Sequence, residues 1–150
     1  MPFSGGCSCG AVRFTIARHL FAHLCHCDAC KKRTGSAYGV AVAIEDPDLE
    51  EFHGEVRTFT RTGETGNPVE YDFCPVCATT VRWRVPALPG RQVFAGGAFD
   101  TPSAFEMVGE MYAGKALPWA RIDCEIVRSG APDQAYRAAV IARTASKQED

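Results

Sequence analysis

Apolar and polar residues alternate with period two along several stretches of the chain. Val12, Phe14 and Ile16 alternate with Arg13 and Thr15. Tyr38, Val40, Val42 and Ile44 alternate with small residues. Val69, Tyr71 and Phe73 alternate with Glu70 and Asp72, and Val81, Trp83 and Val85 with Arg82 and Arg84. Period two sends successive side chains to opposite faces, so these segments read as half-buried strands. Further strands are predicted near residues 56–60, 93–95, 106–112 and 122–127. Turn signals at Gly5-Gly6, Pro47-Asp48, Gly66-Asn67-Pro68 and Pro89-Gly90 separate them. Helical signal is confined to two places. Residues 28–32 fit one turn. Pro132-Asp133 starts a C-terminal helix with Asp133 as N-cap, and Tyr136, Ala139, Val140 and Arg143 follow at helical spacing. The polar end, 146–150, reads as frayed. The pattern predicts a mainly β, mostly antiparallel domain with a short C-terminal helix.

Composition narrows the function. The 150 residues fit one domain over 1–150, with a peripheral tail from about residue 131. Apolar content of 46% is ordinary for a globular chain and argues against disorder. A net charge of −2 disfavours a broad basic surface for nucleic acid. The longest apolar run, Tyr38 to Ile44, falls far short of the roughly 20 residues that span a membrane. Met1 to Gly10 carries no basic and apolar export pattern, so a reducing, cytoplasmic location is expected.

Eight cysteines change the picture. In a reducing compartment, clustered cysteines point to metal or catalysis before disulfides. Seven of them fall in three clusters: Cys7-Ser8-Cys9, Cys25-His26-Cys27-Asp28-Ala29-Cys30, and Cys74-Pro75-Val76-Cys77. C-x-C and C-x-x-C spacings let two thiolates from one tight turn reach the same ion, and zinc takes four ligands in a tetrahedron. The middle cluster supplies three thiolates by itself. The outer pairs, Cys7 and Cys9 with Cys74 and Cys77, together complete a closed four-thiolate set. That division matches the rule that structural zinc sites are closed and catalytic ones keep a position open. The outer site would also staple the start of the domain to its middle. Iron–sulfur ligation is the main inorganic alternative, but the division leaves no second four-cysteine set. Redox use of Cys74 and Cys77 lacks a surrounding βαβ pattern. Cys124, between Ile122 and Ile126, reads as a buried small apolar residue. The side chain of His26 should point away from an ion shared by Cys25 and Cys27. His19, His23 and His53 lie in no motif.

Three stretches together resemble the glutathione-dependent formaldehyde-activating enzyme family, and more broadly the β-tent group of centromere protein V. They are Gly6-Cys7-Ser8-Cys9-Gly10-Ala11-Val12-Arg13-Phe14, then Cys25 through Lys31-Lys32-Arg33-Thr34-Gly35-Ser36-Ala37, then Phe73-Cys74-Pro75-Val76-Cys77. Ala95-Gly96-Gly97-Ala98-Phe99-Asp100 and Pro118-Trp119 resemble it more weakly, and the likeness covers roughly residues 3–127. It implies a β-tent of stacked antiparallel sheets, a structural zinc on Cys7, Cys9, Cys74 and Cys77, and a catalytic zinc on Cys25, Cys27 and Cys30. It also implies a carbon–sulfur bond reaction that joins glutathione and formaldehyde as S-hydroxymethylglutathione, or releases them from it. The family usually continues Gly-Thr after the last pair, where this chain has Ala78-Thr79. The family's His-Ile pair is replaced in the stretch Val108-Gly109-Glu110-Met111-Tyr112.

Three thiolates make zinc a weaker Lewis acid than three imidazoles do, so the site favours capture of a thiol over hydrolysis. His26 and Ser36 are the candidate proton carriers. Glutathione carries two carboxylates, and Lys31, Lys32 and Arg33 directly follow the open site; they either pair with those carboxylates or form a solvated face that offsets the thiolates. Lys32, Thr34, Ser36 and Trp119 are the candidate substrate contacts, with Trp119 read first as core. The competing reading is a non-catalytic zinc module that binds a protein partner, for which the closed site alone would suffice. A family member with another small thiol or carbonyl substrate is the third.

Overall fold

The computed structural model describes residues 1–120 and 122–148. Its elements are β1 (Phe3–Gly6), β2 (Arg13–Ile16), β3 (Phe21–Cys25), α1 (Asp28–Thr34), β4 (Gly39–Glu45), β5 (Leu49–His53), β6 (Arg57–Thr62), β7 (Pro68–Phe73), β8 (Thr80–Arg84), β9 (Arg91–Ala95), β10 (Gly109–Met111), β11 (Ile126–Val127) and α2 (Gln134–Gln148). They form two compact units. One holds Met1–His19 and Val42–Phe105; the other holds Leu20–Ala41 and the described residues from Glu106 on. Among the described residues no helix is long and apolar enough to cross a membrane.

In the first unit, β1, β2 and β5 make an antiparallel three-stranded sheet. The end of β4 leads a second layer in the order β4-β9-β8-β7-β6. The two layers stack through residues the alternation pointed to. Phe14 is 1% exposed, and its ring centroid lies 4.4 Å from that of Phe94 and 5.0 Å from that of Phe99. Val12, Ile16, Ile44 and Val81 complete this core. Burying each such side chain contributes about 1.5–3 kcal/mol. A buried polar network crosses β7, β8 and β9. The Arg82 guanidinium donates to Asp72 Oδ2 at 2.7 Å and to Gln92 Oε1 at 3.0 Å, and lies 3.8 Å over the Phe52 ring. Thr58 donates to the other Asp72 oxygen at 2.7 Å. With both carboxylate oxygens occupied, this burial fixes the strand register two residues before Cys74.

In the second unit, β10 pairs in parallel with β3 and with β11, opposing Gly109 to His23 and Met111 to Cys25. Within the mostly antiparallel fold this is the parallel exception: residues 109–111 return beside β3 through a long connection rather than a hairpin. Asp133 caps α2, accepting the Tyr136 N–H at 2.8 Å, as the sequence predicts. Tyr136 and Val140 bury one face of α2 against Val108, Phe21, Met111 and Ile126. A Cβ on Gly109 would meet the Tyr136 oxygen at 2.5 Å, so only glycine lets the helix approach there.

Several boundaries differ from the pattern. β1, β3 and β5 were not predicted. α1 extends to Thr34 because Cys27 caps its start and Gly35, at φ 63°, caps its end. α2 continues through Ser146, whose hydroxyl donates to Arg143 O at 2.8 Å, to Gln148, in place of fraying from 146. Residues 149 and 150 of that frayed end lie outside the described residues, as does residue 121. The strand expected over 122–127 is reduced to Ile126–Val127.

Candidate metal centres

Four sulfurs meet in the first unit. Cys7 and Cys9 come from the turn between β1 and β2, and Cys74 and Cys77 from the turn after β7. Their Sγ atoms all lie within 4.8 Å of one another. Cys7 and Cys9 are 3.5 Å apart, and Cys9 and Cys74 3.7 Å. Tetrahedral zinc with Zn–S of about 2.3 Å needs sulfurs about 3.8 Å apart, so the donor set fits the ion.

The two turns are built alike. Cys7 N–H donates to Val12 O at 3.0 Å, and Cys74 N–H to Thr79 O at 3.0 Å. Val12 N–H reaches Cys7 Sγ at 3.2 Å, a contact that supports a thiolate. Ser8 and Thr79 join the turns, hydroxyl to hydroxyl at 2.8 Å. Hydrogen bonds from Ser8 and then Thr79 draw the Cys77 thiol down to about 5, so it ionises readily. Both turns need a left-handed residue after the last cysteine. Gly10 supplies it in the first, at φ 80°, and Ala78 in the second, at φ 60°. Ala78 therefore stands where the backbone favours glycine. Replacing Ala78 with glycine should stabilise the protein by about 1 kcal/mol, seen as a rise in Tm of about 3 °C.

Three sulfurs meet in the second unit. Cys25 ends β3, Cys27 caps α1, and Cys30 lies in its first turn. They are 6%, 4% and 8% exposed, and their Sγ atoms also lie within 4.8 Å of one another. Cys27 Sγ accepts the Cys30 N–H at 3.3 Å. The Cys25 thiol is pushed far up, first by Cys27, then by Cys30 and by burial. Three buried thiols cannot all ionise side by side without a cation, and three sulfurs leave a tetrahedral ion one vertex short. Ala29, Met111 and Tyr112 pack against them.

Residues 2–115 match the model of the family described as glutathione-dependent formaldehyde-activating enzyme. The chain belongs to this family. A curated Halomonas elongata protein named "Putative glutathione-dependent formaldehyde-activating enzyme" is 33% identical over 87 residues, covering 54% of this chain and 55% of that protein. The chain thus spans about half the length of that relative. A crystal structure of a Rhodobacter sphaeroides structural-genomics target shares the fold, with a TM-score of 0.52 at 20% identity, covering 69% of this chain and 96% of that one.

The family's cysteine pattern thus comes together as four and three, as the spacing indicates. The other predicted residues surround the second group unevenly. His26 is fully buried, with Nε2 2.6 Å from Glu110 Oε1 and its ring edge toward Tyr38, 5.6 Å between centroids. It is not part of the three-sulfur group. Lys31 is tied to Asp28 at 3.1 Å, and Lys115 to the same carboxylate at 3.0 Å. Lys32 is exposed on α1. Thr34 donates to Cys30 O at 2.9 Å and accepts the Ser36 N–H at 3.2 Å, so its hydroxyl closes the helix end. Ser36 is exposed just beyond it.

Two core expectations are corrected. Trp119 is 75% exposed rather than buried. It sits at the corner of a turn closed by Ala120 N–H to Leu117 O at 2.9 Å, and a turn corner faces outward. Cys124 is only half-buried, because the regular strand begins after it; burial still pushes its thiol up to about 11. Sequence reasoning did not single out Glu110 or Tyr112. A lone carboxylate inside the apolar stretch 108–112 was the available signal for Glu110.

Proposed function

We propose that this protein is a zinc-dependent carbon–sulfur lyase or synthase acting on a thiol adduct, with glutathione and formaldehyde as the substrate pair. The observation that carries the reading is the buried group of Cys25, Cys27 and Cys30, which offers three thiolates and, among the described residues, no fourth ligand. Family membership and the name of the Halomonas relative support the substrate class. Zinc on Cys7, Cys9, Cys74 and Cys77 would be structural; zinc on the three-thiol group would supply a soft cation that favours the thiolate form of a substrate sulfur.

The chain's own residues do the rest. Joining a thiol to an aldehyde forms one carbon–sulfur bond, removes the thiol proton and delivers a proton to the carbonyl oxygen. We assign that proton to His26. Glu110 Oε1 lies 2.6 Å from its Nε2, yet both ring nitrogens are buried without a hydrogen-bond partner, so the imidazole is placed to take up the proton and give it back. Lys32, exposed on α1, supplies positive charge for the carboxylates of glutathione, while Lys31 and Lys115 are paired with Asp28. Thr34 supports α1 through its hydroxyl, and exposed Ser36 and Trp119 are left as rim contacts. Seven ligand thiols also fit a reducing compartment.

Exchange between free and glutathione-bound formaldehyde, followed by NMR with zinc-loaded protein, tests this reading. Exchange faster than in buffer is expected. Exchange at the buffer rate, with both groups carrying zinc, would favour the non-catalytic module.

A further inference from the structure

Among the described residues, two that are not glycine hold a positive φ, and each adjoins a cysteine group. Ala78 completes the turn after Cys77. Tyr112 opens the short turn Ala113–Lys115. Its φ and ψ are 54° and 38°, a left-handed conformation that crowds the Cβ of a bulky residue.

The surroundings hold it there. Tyr112 N–H donates to Gly130 O at 3.2 Å, Ala113 N–H to Arg128 O at 2.9 Å, and Gly114 N–H to Ser129 O at 3.1 Å. Lys115 N–H closes the turn onto Tyr112 O at 2.9 Å. On the other side, Lys115 Nζ reaches Asp28 at 3.0 Å, and Lys31 Nζ donates to Lys115 O at 3.0 Å. The turn is thereby fixed both to residues 128–130 and to the helix that carries Cys30. Strain kept by this many contacts is a mark of a functional position. The result is the placement of one side chain: Tyr112 packs, with Ala29 and Met111, against Cys25, Cys27 and Cys30.

We propose that Tyr112 is a positioning residue of the three-thiol centre, walling the position a fourth ligand takes. The proposal rests on the reading that these thiols hold an ion with an open vertex. An aromatic wall beside Met111 and Ala29 suits a thiol sulfur bearing a small carbon group and shields the ion from competing ligands. A glycine would adopt this backbone without strain, so the ring is what tyrosine adds.

The test uses the full chain, reduced and zinc-loaded, as Tyr112→Gly and Tyr112→Phe. One readout is the rate at which zinc leaves to a chromophoric chelator. The second is glutathione affinity for cobalt(II)-loaded protein, read from the thiolate-to-cobalt absorption. Tyr112→Gly is expected to fold, because relief of the backbone strain offsets part of the packing lost with the ring. It should still release the faster-leaving zinc at least about ten-fold faster and bind glutathione about five-fold less tightly or worse. Tyr112→Phe should stay within about two-fold of wild type. If Tyr112→Gly does not fold, Tyr112→Asn, which tolerates the left-handed region, carries the same test. Wild-type release and wild-type glutathione affinity in the glycine or asparagine variant would overturn the proposal. Neither readout needs turnover, so an inactive wild-type protein would sink the proposed reaction and leave the role of Tyr112 standing.

Discussion

Replacing Cys74 with serine is expected to remove one zinc per chain and to lower Tm by about 15 °C or more. Cys74 is fully buried, and its sulfur lies 3.7 Å from that of Cys9. The two turns it helps to join are 65 residues apart along the chain. Serine is a poor zinc ligand and would bury a hydroxyl where a thiolate belongs. A structural zinc contributes of order 10 kcal/mol to a small site, so losing even half of that costs about 5 kcal/mol. In a chain of this size each kcal/mol shifts Tm by about 3 °C. Thermal melts of zinc-loaded protein, paired with elemental analysis, check this. A variant that melts within about 3 °C of wild type would show that the four cysteines do not staple this unit.

The second large effect is chemical. Cys27→Ser should lower carbon–sulfur exchange at least about a thousand-fold, because three thiolates are the minimum the open site needs. The fold should survive. Cys27 Sγ caps α1 by accepting the Cys30 N–H, and a serine hydroxyl performs that task as well or better. Cys27→Ala removes the cap too, so it should be less stable than Cys27→Ser by about 1 kcal/mol while equally inactive. NMR exchange measurements and melts separate the two effects. Full activity in Cys27→Ser would contradict the assignment of the three-thiol group as the reacting site.

The metal chemistry was legible because it is written in spacing. C-x-C, C-x-C-x-x-C and C-x-x-C each confine their thiols to one turn, and only the four-and-three division uses all seven. The strands with clear alternation, β2, β4, β7 and β8, were legible for the same local reason. What was not legible depends on partners distant in sequence. β1 reads Phe-Ser-Gly-Gly, a poor strand former that exists through its pairing with β2. In β3, Ala22, His23, Leu24 and Cys25 are all buried, so the period-two signal disappears under packing on both faces. Its parallel pairing with β10 leaves no hairpin signature. β5, Leu-Glu-Glu-Phe-His, is an edge strand with too much charge to show a pattern. Trp119 misled because aromatic residues are usually core, whereas its place in the turn at 117–120 was invisible. Glu110 reaches His26, and Tyr112 the three cysteines, only through tertiary contacts, and no motif marks either.

The chain is expected to carry one closed and one open metal centre. The direct test is zinc content of reduced, zinc-supplied protein, measured by elemental analysis before and after mild chelation. Two zinc ions per chain falling to one is the predicted result, since a centre with three ligands gives up its ion before one with four. A single zinc throughout, with or without chelator, would contradict it and leave a structural zinc module whose three buried thiols have no catalytic part.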